Sequence, residues 1–596
     1  MKIVTIDYET HAIGERPSAY PPEPVGVSIK INDEPSTYLS WGHPSGNNCT
    51  KAQAKVQLEE ALYGADKILS HNTMFEGAIT IEKMGIPFDW AVAVDTMVMA
   101  FIDNPHGELK LKPLAEQKLG LPPEEQDDVR DYIYAHGLCK RNSKQWGAFI
   151  SMVPARIVAP YAEGDTDRTY DLWNYYNGAL ADSQKEALAT EMRLMPHIYK
   201  MEVRGVNIDG ERLAEDLAFY EAKMLELDAK IHSILGCEVD VDSNEDLADA
   251  IEAAGKSSGF AKTPTGKRST AKDSLIGAIA DNELLGSLLL RGSIATCIRT
   301  FMKPWLEQYK DHGRLFIRWN QVRNYSDTGA RTGRLSSSPN LQNVPTEWEG
   351  LRAKFEKIGF TLPFELPAMR SYIIPDEGKI FISRDYSGQE MRLLAHFAGG
   401  KLLEILRENP EADVHMIAAE IAHITRKVAK TLGFGILYGA GKDTIAEQLA
   451  VDVALAMEYK AQYLSALPEI KQLQNSVSQR GRLNQPVRTL GGRLYYAEQP
   501  KSVGGMLKSF EYKLINYLIQ GSAADQTKMA MIRYGENTEH GELCLSVHDE
   551  LVAQCDIPHE ADEAVTLEWA MNGSYLDTLD YEVVSTGASG YNFGAL

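Results

Sequence analysis

The sequence predicts an α/β and α+β multidomain protein, from its length and from the way strands and helices alternate. A chain of 596 residues holds several domains of roughly 100–200 residues each, and more than one active site. Ile3 to Tyr8 alternates as a strand and runs into acids, whereas the stretch from about Ser183 to Gln308 has helical spacing. Lys379 to Arg392 reads as a buried strand that ends on Asp385 and turns at once into a helix through Met391, Leu394 and Phe397.

Composition removes several classes. Hydrophobic residues make up 44% and charged residues 24%, with no apolar run of membrane length, so no membrane partner is expected. The N-terminus enters a strand pattern without an h-region or cleavage site, which points to a protein that stays in the cytoplasm where it is made. Six cysteines, Cys49, Cys139, Cys237, Cys297, Cys544 and Cys555, form no C-x-x-C pair, which argues against a disulfide framework and a zinc site. The formal charge of −22 repels a polyanion at long range, so nucleic-acid binding has to come from local basic patches.

The first third carries acids in a particular order. Asp7 and Glu9 share one face of the first strand because the strand period is two, so both can reach one cation. Asn72 and Glu76 sit at a helix start after a second short strand, and Asp95 follows a third apolar run. Tyr161 and Asp165 are spaced i, i+4 in a helical segment and share a face. Each alone reads as a solvated acid or a cap; hydrolysis of a phosphodiester, by contrast, needs several convergent carboxylates around divalent ions.

The middle is a helical arm broken by a Gly- and Ser-rich patch. Between Ala253 and Lys272 lie Lys256, Lys262, Lys267, Arg268 and Lys272 and no acid, which reads as a phosphate grip or as a solvated loop.

The second half is dense in polar donors. Thr332-Gly-Arg334-Leu-Ser-Ser337 and Pro339-Asn-Leu-Gln342-Asn343 suit the minor groove, whose acceptors lie at similar places for every base pair. Arg426, Lys430 and Phe434 recur every four residues and share a helix face, two cations and a ring that match a nucleoside triphosphate; Tyr438 continues the segment. Glu542 to Asp556 reads as two apolar strands around the acidic turn His548-Asp549-Glu550.

In order, these motifs resemble two linked families. D-x-E at Asp7 and Glu9, N-x-x-[FY]-[DE] at Asn72 to Glu76 and Y-x-x-x-D at Tyr161 to Asp165 resemble the 3′–5′ exonuclease domain of proofreading DNA polymerases. That likeness implies that Asp7, Glu9, Glu76 and Asp165 hold two divalent ions and that Tyr161 places the attacking water; Glu76 stands where Asp is usual. The minor-groove string, R-x-x-x-K-x-x-x-[FY]-G-x-x-Y-G from Arg426, and His548-Asp549-Glu550 resemble family A DNA polymerases.

The resemblance implies an RNase H-like exonuclease domain followed by a right hand of palm, fingers and thumb. The expected limits are 1–180 for the exonuclease, 181–310 for the thumb, 311–400 and 536–596 for the two palm segments, and 401–535 for the fingers. Asp385 and Asp549 are then metal ligands, Glu550 a secondary carboxylate, and Lys430 a proton donor to the leaving group. Tyr386 is a packing position, Glu390 the block against a ribose 2′-hydroxyl, His548 a neighbour of the primer end, and Phe434 a residue that disfavours dideoxynucleotides. Arg334, Gln342, Asn343, Asn516 and Gln520 contact DNA, as do Lys262, Lys267 and Arg268 in a segment where Lys262-Thr263-Pro264 resembles the thumb tip. Met201-Glu202-x-x-Gly205-Val206 resembles the start of that thumb, and Tyr512-Lys513 stands where relatives often carry Arg.

The implied activity is DNA-dependent DNA polymerase with proofreading, using Mg²⁺, two ions at each active site, or Mn²⁺ in its place. The implied partners are primer-template DNA and dNTPs, with a helicase-primase or single-stranded-DNA-binding protein in a replisome, acting on a monomer. No 5′ nuclease domain is expected ahead of the first strand. The compact plan and the H-N-x-x-F-E motif look phage-like, which would place it in a host cytoplasm; a bacterial source stays open. A single-subunit RNA polymerase, a non-enzymatic DNA-binding relative and a chiefly degradative nuclease are the rivals, and Glu390, the intact acids and the Arg426 motif argue against each in turn.

Overall fold

A computed structural model describes residues 1–123, 125–141, 143–263, 266–345, 348–503 and 506–596. Its first unit is a five-stranded mixed sheet. The strands are β1 (Ile3–Thr10), β2 (Pro24–Ile31), β3 (Thr37–Ser40), β4 (Lys67–Ser70) and β5 (Ala93–Asp95), in the order β3-β2-β1-β4-β5. β1 pairs antiparallel with β2 and parallel with β4. Strand alternation sends Val4, Ile6 and Tyr8 into one core with Val27, Ile29 and Ile79, while Ile3 joins another with Leu69, Val94, Leu172 and Trp173.

Helices cover this sheet: α1 (Thr73–Glu82), α2 (Thr96–Asp103), α3 (Leu111–Leu119) and α4 (Ala155–Ala179). Asp95 links two of them. Its carboxylate accepts the N–H groups of Asn72 and Thr73 at 3.0 and 2.8 Å and that of Met97 at 2.8 Å, so one buried acid caps the starts of both α1 and α2.

α5 (Asp182–Arg204) carries the chain out of this unit, and the expected limit at 180 falls in the turn before it. Gly205 ends α5 at φ +66, where a Cβ would lie 2.5 Å from the Leu315 carbonyl oxygen; only glycine lets the chain turn there. Beyond it stand α6 (Gly210–Leu235), α7 (Asn244–Ala253) and a long helix α8 (Asn282–His312) with a π turn at Cys297–Met302.

α8 corrects one expectation, because by length and composition it passes as a membrane-crossing helix, with a mean hydropathy of 1.2 over its best window. Of that window 67% is buried inside the protein, where Leu290, Ile294, Ile298, Phe301 and Trp305 join the main core. The sequence shows the apolar residues but not the neighbours that cover them.

The second half centres on a four-stranded sheet. It is built from β6 (Lys379–Tyr386), β7 (Gly541–Val547), β8 (Glu550–Asp556) and β9 (Ser585–Gly590), ordered β7-β8-β6-β9 and antiparallel throughout. Gly388 at φ +66 makes the turn from β6 into α9 (Gln389–Ala398). Apart from this sheet stand α10 (Val414–Ala422) and α11 (Arg426–Leu437), the latter capped by Thr425, whose hydroxyl accepts the Val428 N–H at 3.3 Å. α12 (Leu514–Asn537) and α13 (Glu560–Asn572) pack together behind the sheet, and α12 runs through the limit expected at 535. The six cysteines are unpaired, with Cys297, Cys544 and Cys555 buried.

Candidate active sites

β6 and β8 bring the acids of the second half together. Asp385 lies directly opposite Glu550 in the antiparallel register, and Asp549 occupies the turn before β8, its carbonyl accepting the Tyr386 N–H at 3.3 Å. His548 makes that turn at φ +59. Burial pushes Asp385 up to about 7, with Asp549 and then Glu550 adding to the rise. Burial likewise raises Glu550, against the pull of Arg370 at 3.9 Å. Asp385 hydrogen-bonds the Asp549 side chain, and this pair, with Glu550 across the ladder, offers oxygen donors suited to hard divalent cations. Tyr386 is buried beneath them and donates its hydroxyl to the Met571 carbonyl at 3.0 Å.

α11 carries the cations of this half, and Tyr438 at its C-terminal end reaches Glu390 of α9. Arg426 and Lys430 are exposed one turn apart, and Phe434 follows half-buried, its ring 5.6 Å from that of buried His415 and 6.2 Å from that of Tyr438. Asp413, which caps α10, also takes the Arg426 Nε at 2.7 Å. Tyr438 donates to Glu390 at 3.2 Å, and Arg334 makes an ion pair with the same carboxylate. Gln520 hydrogen-bonds the Tyr438 side chain, and burial raises that phenol, with Glu390 adding to the effect.

Arg334, Gln342, Gln389, Ser546 and His548 line one small cavity, with Gln342 donating to the Ser546 carbonyl at 3.0 Å. Asn343 is exposed beside it; Asn516 and Gln520 are half-buried on α12. Lys513, next to Tyr512, pairs with Glu498 at 2.7 Å.

A buried ionic cluster sits behind this region, with no trace in the motifs. Arg493 donates to Asp525 at 2.6 Å and pairs with Glu191; Lys528 reaches Glu191 at 2.6 Å and the Gln321 carbonyl at 2.7 Å. All four charged side chains are buried, and the two acids balance the two cations. Glu191 belongs to α5, Asp525 and Lys528 to α12.

On the first sheet, Asp7, Glu9 and Asp165 have ligand oxygens within 4.8 Å of one another. Burial pushes Asp7 up to about 8, with Asp165 adding to the rise, and pushes Glu9 well above the carboxylate range, with Asp7 and Asp165 adding. Carboxylates held this way are stabilised as anions by a multivalent cation. Glu76 lies beside them: its Oε2 accepts the Tyr8 N–H at 3.1 Å, and burial, with Asp7 and Glu9 adding, holds it well above the carboxylate range.

Lys112 of α3 enters this cluster unannounced by any motif. It ion-pairs with Asp165 through both carboxylate oxygens, the Oδ2 contact at 2.5 Å, and lies 3.6 Å from the centre of the Tyr161 ring.

The cations between Ala253 and Lys272 are placed unevenly. Arg268 pairs with Glu245, Asp249 and Glu252 of α7, the last at 2.9 Å. Lys256 pairs with Asp281 at 2.6 Å. Lys262 bridges backbone-to-backbone with Arg268, and Lys267 is exposed. Pro264 lies outside the described residues.

Comparison with known proteins bears on both halves. A family model described as DNA polymerase family A matches residues 211–594. A DNA-directed DNA polymerase of Pseudomonas phage M6 is 28% identical, with 94% of this chain and 90% of that protein covered. DNA polymerase I of Chloroflexus aurantiacus is 27% identical, covering 93% of this chain and 57% of its own length. The thermostable DNA polymerase I of Thermus aquaticus is 28% identical over 64% of this chain and 45% of its own. The chain thus spans most of the phage protein and about half of the bacterial ones. The polymerase domain of Pol1 from M. smegmatis, solved with DNA primer-template and dNTP, superposes with a TM-score of 0.79 at 20% identity, covering 100% of this chain and 96% of that one. At that identity the likeness is one of fold.

Proposed function

The chain belongs to DNA polymerase family A, and from that premise we propose that it extends a primer 3′-hydroxyl with deoxynucleotides on a DNA template and trims the primer in a separate 3′–5′ exonuclease site. The observation that carries the polymerase reading is the meeting of Asp385, Asp549 and Glu550 at the end of the two central strands, in a half that also carries Arg426, Lys430 and Phe434 on one helix. Divalent ions such as Mg²⁺ or Mn²⁺, held by Asp385 and Asp549 there and by Asp7 and Glu9 of β1 with Asp165 of α4 in the first unit, would lower the pKa of the attacking hydroxyl or water and neutralise the leaving oxygen.

The chain's own side chains supply the rest. Arg426 and Lys430 grip the triphosphate, and Lys430 gives a proton to the departing pyrophosphate. Phe434 packs on the sugar and base. Glu390, held under the Tyr438 hydroxyl, fills the space a ribose 2′-hydroxyl needs and so selects deoxynucleotides. Arg334 leaves Glu390 for the minor groove of the nascent pair, where with Gln342 it checks pairing geometry.

The exonuclease reading rests on the Asp7, Glu9 and Asp165 cluster together with Tyr161 on the same helix as Asp165. A cleft of about 810 Å³ lined by Arg16, Tyr20, Glu202 and Arg318 adjoins a narrower cavity that reaches Asn72 and Asp95. It offers a single strand a route toward the first sheet. Primer extension with matched and mismatched 3′ ends, with dNTPs against rNTPs and with Mg²⁺ withheld, tests both activities. Extension without degradation of the mismatched end would remove the exonuclease; efficient rNTP use would remove the role of Glu390.

A further inference from the structure

Lys112 is the buried cation in direct contact with the first-sheet carboxylates. Its ammonium is 8% exposed as a side chain, pairs with both oxygens of Asp165, which is 9% exposed, and rests on the Tyr161 ring at 3.6 Å. The ring face and the carboxylate hold it from two sides, an arrangement that favours a cation removed from water. Lys112 bears electrostatically on Asp7 and Glu9 as well, opposing the rise that burial imposes on both. Arg168 adds a weaker contact to Asp165 at 3.9 Å, but its guanidinium is committed to Glu125 at 2.6 Å.

We propose that Lys112 is a tethered counter-ion of the first-sheet site, which competes with a divalent cation for Asp165 and thereby sets the ion concentration at which that site fills. The inference rests on reading the cluster as an ion-binding nuclease site. One carboxylate cannot give both oxygens to an ammonium and also serve a divalent ion that wants them, so filling on that side requires the Lys112 side chain to move. The released ammonium stays within a side-chain length of the cluster, where a phosphodiester would bring negative charge. The competition is electrostatic and local: unit charges at contact inside a protein interact by several RT, enough to shift an apparent ion affinity by about tenfold or more. Glu550 of the second-half acids meets its cation, Arg370, only at 3.9 Å, a looser contact than Lys112 makes with Asp165, so the two sites should fill at different ion concentrations.

The test is Mn²⁺ binding, followed by electron paramagnetic resonance and calorimetry on the full chain, in an Asp385→Asn, Asp549→Asn background that removes the palm ligands. Lys112→Met should tighten Mn²⁺ binding at the remaining site about tenfold or more, and Lys112→Arg should keep the wild-type affinity. If Lys112→Met does not fold, Lys112→Gln removes the charge while keeping a donor toward Asp165 and carries the same expectation. Unchanged or weaker Mn²⁺ binding in the neutral variants overturns the proposal. Adding Asp7→Ala and Glu9→Ala separates the two levels. If they abolish the binding while Lys112→Met has no effect, the counter-ion idea fails and the ion site stands; if Mn²⁺ binding survives them, the nuclease reading fails.

Discussion

Asp385 and Glu550 are cross-strand partners in the antiparallel pair β6–β8, like charges set face to face with Asp549 in the adjoining turn. Such a pairing is destabilising without a cation between the acids. Asp385→Asn and Asp549→Asn should therefore each stabilise the ion-free protein by about 1 kcal/mol while lowering primer extension by on the order of 10³-fold. Thermal melting with a chelator and a single-turnover extension assay give the two numbers. Degradation of a single-stranded primer should persist in both variants, because Asp7 and Glu9 of β1 and Asp165 of α4 belong to the first unit.

Phe434 offers no hydroxyl on the face of α11 proposed to hold the triphosphate. Phe434→Tyr adds one that can stand in for a missing 3′-hydroxyl, so dideoxynucleotide use relative to dNTP should rise by roughly ten- to a hundredfold. A competition assay scored by chain termination measures it; an unchanged ratio would show that this position does not face the sugar.

Asp7→Ala combined with Glu9→Ala should abolish 3′–5′ degradation, by on the order of 10³-fold, and leave the extension rate on a matched primer within about twofold. The readout is loss of end label from a single-stranded oligonucleotide beside primer extension on the same preparation.

Glu202 supplies a pH signature away from either acid cluster. Its Oε1 accepts the Trp319 N–H at 2.7 Å, and burial pushes its pKa from 4.5 to about 7. The fold therefore favours the protonated acid. The stability this gives is complete below about 4.5, is lost as pH rises to about 7 and is flat beyond, a change of about 2–4 kcal/mol. Glu202→Gln should flatten that part of the profile, read as the urea midpoint at several pH values across the window.

Lys528→Met would leave Glu191 facing Arg493 alone, inside the protein, with the Gln321 carbonyl unpaired. A cost of about 3–5 kcal/mol is expected, measured by chemical denaturation. A far smaller loss would mean that Arg493 balances both acids by itself.

Much of this was legible because the chemistry sits in short strings. Asp385, Asp549 and Glu550 were visible as strand-end and hairpin acids, and Arg426, Lys430 and Phe434 as one helix face, since both patterns are set by local periodicity. What escaped was set by distant partners. Lys112 reads as one more lysine in an amphipathic helix until α4 delivers Asp165 and Tyr161 to it. β9 is Ser-Thr-Gly-Ala-Ser-Gly, without apolar alternation, and becomes a strand because the edge of β6 is there to pair with it. Arg268 looked free because the acids that claim it lie on the preceding helix, outside the basic run. Glu76 was visible by type and place, but the Tyr8 N–H that its Oε2 accepts comes from β1 and could not be read from the motif.

The Glu191–Arg493–Asp525–Lys528 cluster has a mechanical meaning. Glu191 sits on α5, the helix leading out of the first-sheet unit, while its partners belong to the half that holds the palm acids. Sliding these halves apart would strand buried charges, so the cluster acts as a bolt between two workstations rather than a pivot. On the proposed reading of the two sets of acids as polymerase and exonuclease sites, this frame sets the distance between them, and a primer end would fray and travel that length itself. Loosening the bolt with Lys528→Met should then alter how many base pairs melt for each transfer before it alters either chemistry.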